Sequence, residues 1–181
     1  MKFSRSLVAM SAGLALFGLS SCSLGDSSAG DGGADGGSPT SAAQGSGLES
    51  FDPCTFFKPD ELTSYGVSTQ AKDFTQVSFQ PGCSWDGERL SVALQKNADD
   101  TVESLEKGGS YDEFTRINVA GRDSARMIVA GGTGTGGCIT VVPAGGGIVL
   151  YQLSGYMRDS VADPCGEIEK IAGQTASRLP A

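Results

Sequence analysis

Four cysteines, Cys54, Cys83, Cys138 and Cys165, constrain this chain more than any other feature. They are spread through the segment from Leu48 to Ala181, whose 134 residues suit one domain with a real core. An even set of cysteines in an exported chain points to disulfides. Four cysteines allow three pairings, and composition does not choose among them. Proximity in sequence favours Cys54–Cys83 and Cys138–Cys165. Each pair would close a loop of about 30 residues, which stabilises by roughly 3–4 kcal/mol through chain entropy. The redox signature C-x-x-C is absent, so a structural role is expected for all four.

The expectation of export comes from the start of the chain. Lys2 and Arg5 precede an apolar run of 13 residues, Leu7 to Leu19. That run is shorter than the roughly 20 residues a spanning helix needs, and it suits a signal peptide. Leu19-Ser20-Ser21-Cys22 follows and resembles a bacterial lipobox. Residues 1–21 therefore read as a lipoprotein signal peptide, and Cys22 as the lipidation site. Residues 22–47 are mostly Gly, Ser, Ala and Asp with almost no large apolar side chain, the composition of a disordered tether. The expected location is the extracytoplasmic face of the cell membrane, with the acyl chains on Cys22 as the membrane contact.

Charge and composition exclude several classes. The formal charge of −8 becomes −10 once Lys2 and Arg5 are removed with the leader. Such a surface disfavours nucleic acid, whose binding rests on neutralising phosphates. There is no histidine. A Ser-His-Asp triad and a histidine-based zinc site are thereby excluded. No catalytic residue, cofactor site or metal site is assigned.

Element signals alternate along the domain. Asp52-Pro53-Cys54 and Asp163-Pro164-Cys165 are both helix starts, with Asp as cap and Pro in the first turn. They predict a first helical region from Pro53 to Tyr65, broken near Lys58-Pro59, and a last helix from Pro164 to Arg178. Asp99 to Lys107 reads as a middle helix. Strands are predicted over 77–85, 90–96, 114–119, 124–129, 138–142 and 148–154. Val149, Leu150, Tyr151 and Leu153 are apolar on both strand faces, which marks a central strand covered on both sides. The expected fold class is α+β, a mostly antiparallel sheet of about five to six strands packed with helices and stapled by two disulfides.

Asp52-Pro53-Cys54, Cys83-Ser84-Trp85, the stretch from Val119-Ala120-Gly121 to Ala125, Cys138, and Pro164-Cys165 recur here in a familiar order. With the lipobox and tether, they resemble the domain-of-unknown-function 3558 family, exported lipoproteins typical of actinobacteria. The resemblance implies a lipid-anchored envelope domain. It supplies no reaction, ligand or catalytic residue.

Other motifs have plainer readings. Gly132 to Gly137 satisfies G-x-G-x-x-G as a string, but β-branched residues follow it where a dinucleotide site needs a helix. Asp99, Asp100, Glu103 and Glu106 lack the EF-hand pattern and read as a capped, solvated helix face. Trp85 beside Cys83 reads as core. Ser124 and Tyr111 have no visible base beside them. The functional expectation is a monomeric, non-enzymatic binding or adaptor domain for an envelope protein, glycan or small ligand. A carboxylate-dependent enzyme of envelope polymers and a purely structural envelope protein are the alternatives. The lipidation reading has a direct check: Cys22→Ser should lose its acyl mass and leave the membrane fraction, and retention at the wild-type level would refute the anchor.

Overall fold

The computed structural model describes residues 47–181. The expected leader, Cys22 and all of the tether except Gly47 lie outside these residues. Seven strands form one antiparallel sheet in the order β1-β2-β3-β7-β6-β5-β4. Their ranges are β1 Lys72–Asp73, β2 Gly82–Asp86, β3 Leu90–Asn97, β4 Tyr111–Val119, β5 Arg122–Val129, β6 Gly137–Ala144 and β7 Gly147–Gly155. Three helices, α1 Pro59–Ser64, α2 Val102–Gly108 and α3 Pro164–Thr175, complete the α+β architecture. A 3-10 turn, Pro53–Thr55, precedes α1, and a second, Ala176–Arg178, follows α3.

The sheet differs from the sequence expectation in three ways. There are seven strands rather than five or six, because the two-residue β1 is too short to leave a periodic signal. The strand expected from Val77 begins only at Gly82, after Pro81, and Val77 and Phe79 stay exposed. The hairpins are also tighter than expected. Ala120-Gly121 and Gly145-Gly146 turn with positive φ at both residues, 52° and 85° in the first and 54° and 85° in the second. Two residues in that conformation match the twist of paired strands, so β5, β6 and β7 extend further toward their turns.

Strand β7 is the middle of the seven and is buried on both faces. Val149, Tyr151 and Leu153 join one core with Trp85, Val92 and Leu94 of the sheet and Ile168, Ile171 and Ala172 of α3. Ile148 and Leu150 point the other way and meet Val102 of α2, Ala125, Met127 and Val141. Trp85 is 1% exposed and packs edge-on against Phe57 at 5.2 Å, as a core tryptophan. Across the second face, the Gln95 side chain is buried and donates to the Phe74 and Gln80 carbonyls, each at 3.1 Å. That pairing seals the segment before β2 against the sheet without an unsatisfied amide.

The disulfides are Cys54–Cys83 and Cys138–Cys165, the pairing that proximity favours. Each ties a helical first turn on the α3 side to a strand beneath it. Local capping prepares both ends: Asp52 accepts from the Cys54 amide and Asp163 from the Gly166 amide, each at 2.9 Å. The paired substitution Cys138→Ser and Cys165→Ser should lower unfolding free energy by about 3–4 kcal/mol. Urea denaturation of the purified domain measures it; an unchanged midpoint would show that the bridge adds nothing to the core.

Candidate functional site

A cleft of about 990 Å³ lies at one end of the sheet. One wall is the turn after β2, with Glu88 and Arg89. The opposite wall is α3, where Asp163, Glu167, Lys170 and Gln174 recur at helical spacing on one stripe. Tyr65, just past α1, closes one end, and the loop through Ser160 and Val161 closes the other. Leu90, Leu153 and Ile171 supply an apolar floor. Apolar floor, polar rim and this size are the usual make-up of a ligand site.

Each wall is held by contacts away from the rim. The helix α1 has only six residues and would not stand alone. Leu62 pins it to the core, and Glu61 joins the Arg178 guanidinium through two bonds of 2.6 and 2.9 Å. Arg178 also lies over the Phe56 ring at 4.9 Å. Its guanidinium holds the Glu61 carboxyl below the ordinary glutamate value, with burial partly opposing. Burial raises the Tyr65 phenol, and the nearby Glu61 charge adds to that. Tyr65 therefore presents a neutral hydroxyl, 3.4 Å from the Gln174 amide oxygen. On the other side, Arg89 donates to the Ser160 carbonyl and fastens the loop to the turn. The Cys138–Cys165 bridge anchors the first turn of α3 to β6.

The cleft lies far from the point where the chain enters the domain. Leu90 pairs with Gly155 at the cleft end of β3, and Asn97 pairs with Ile148 at the other. The β6–β7 turn sits at that far end, with Gly47 and Leu48 laid against it. A Cβ on Gly145, whose φ is +54°, would stand 2.7 Å from the Leu48 amide nitrogen, so the close approach requires glycine. The Lys96 ammonium donates to the Leu48 carbonyl at 2.7 Å and the Phe51 carbonyl at 2.5 Å, fixing the entry. The eight residues of β3 span about 25 Å between the two ends.

The residues singled out in the sequence fall elsewhere. Cys54, Cys83, Cys138 and Cys165 are brought together as two structural pairs, while Cys22 lies outside the described residues. Gly132 to Gly137 forms the β5–β6 loop and runs into β6, so it lacks the following helix of a dinucleotide site. Asp112 organises that loop, accepting from the Gly131 and Thr133 amides and the Thr133 hydroxyl, contacts that lower its pKa. In the acidic group, Glu103 and Glu106 pair with Arg116, and Asp100 accepts from Asn97 and Ser104. Ser124 is fully buried and donates to the Arg122 carbonyl. Tyr111 packs on Phe114. Among the described residues no cluster of three or more acids or cysteines is placed to hold a metal ion. Glu88, Asp163 and Glu167 of the cleft are exposed rather than a buried acid pair. The helix α3 was legible from its Asp163-Pro164-Cys165 start, but its polar stripe was not read as a wall, and nothing in the sequence marks residues 88 and 89 as facing it.

These features define a class: a disulfide-stapled α+β domain with a mixed-charge cleft at the end opposite its chain entry. The chain belongs to the family described as a protein of unknown function, DUF3558, whose profile matches residues 17–178. No curated protein and no solved structure matches it.

The Glu61–Arg178 pair yields a pH prediction. A carboxyl depressed in the folded state stabilises the fold above its unfolded pKa, and that contribution is lost as pH falls through the folded value. Glu61→Gln should cost about 1 kcal/mol at neutral pH, as for a well-formed, largely covered surface pair. The gap between variant and wild type should close below the ordinary glutamate range. Denaturation curves across acid pH measure it; a pH-independent gap would mean that the pair's charge is irrelevant.

Proposed function

We propose that this protein is a lipid-anchored envelope domain that binds a ligand in the cleft between α3 and the β2–β3 turn without transforming it. One observation carries the reading: an apolar-floored, polar-rimmed cleft of about 990 Å³ opens at the end of the sheet farthest from Gly47. A chain fastened to the membrane through Cys22 would enter at Gly47, at the end of the sheet opposite the cleft. The tether would let the domain search a volume above the membrane rather than hold one orientation. The net negative charge supports attachment through acyl chains rather than through adsorption to anionic lipid.

Binding without turnover is favoured by what the cleft contains. Its carboxylates are exposed, Asp163 is engaged as a helix cap, and no histidine, free thiol or metal cluster lies among the described residues. Incubating the purified protein with peptidoglycan fragments, envelope glycans and peptides, and following products by mass spectrometry, tests the reading. No product is expected. Turnover abolished by replacing a single Asp or Glu would overturn it in favour of a carboxylate enzyme.

A further inference from the structure

We draw no further inference here: the strongest candidate, the open outer edge of β4 at one end of the sheet, has Asp112 and Arg116 already engaged within the domain, and nothing among the described residues shows what covers it.

Discussion

Burial of β7 on both faces is the constraint that the rest of the domain depends on. A strand in the middle of a seven-stranded sheet must shield two apolar surfaces from water at once. On one side Val149, Tyr151 and Leu153 require the cover of α3; on the other, Ile148 and Leu150 require α2. Burial pushes the Tyr151 phenol above its ordinary value, and its hydroxyl lies 3.1 Å from that of Thr175 on α3. A buried phenol with a partner costs little, whereas one left alone would cost about 1–3 kcal/mol. The same contact sets how far along the sheet α3 lies, and so places the stripe that forms one wall of the cleft.

The cleft is a consequence of how the helices are fastened. The last helix is pinned at its start by Cys138–Cys165 and followed by a 3-10 turn whose Arg178 grips Glu61. Arg122 holds the segment beyond it, donating to the Leu179 and Pro180 carbonyls. Helix α1 is thereby held beside α3, and the short turn after β2 projects across from both. The walls of the cleft are therefore secondary structure held by the disulfide and the ion pair. The loop through Tyr156 and Met157 is held at two points, by Arg89 and by the Gly136 carbonyl.

Entry of the chain at the opposite end is equally a packing result. Gly145 leaves room for Leu48, and Lys96 satisfies the carbonyls of the incoming backbone. The incoming residues form a turn, with the Phe51 amide donating to the Leu48 carbonyl at 3.2 Å, and one ammonium reaches three of its carbonyls. Entry and cleft thus lie at opposite ends of the sheet, the β6–β7 turn at one and the β2–β3 turn at the other.

Much of the fold was readable along the chain because its signals are local. The two Asp-Pro-Cys starts cap helical turns in place, the apolar alternation of Leu90 to Leu94 marks a strand, and the nearly continuous apolar run from Ile148 to Leu153 marks a central one. The cysteine pairing followed from short loops, since the nearer cysteine is the easier to reach. What stayed hidden depends on distant partners. The short β1 exists only because β2 offers it an edge. The segment from Val77 to Gln80, apolar enough to look like a strand, is excluded from the sheet while Gln95 seals the segment there. Above all, Glu88 and Lys170 are 82 residues apart and acquire a shared cleft only through the hairpin register and the docking of α3. Capping, periodicity and loop closure are properties of neighbouring residues, so the sequence carried them unaided. A cleft is the gap between elements, and its shape depends on tertiary packing.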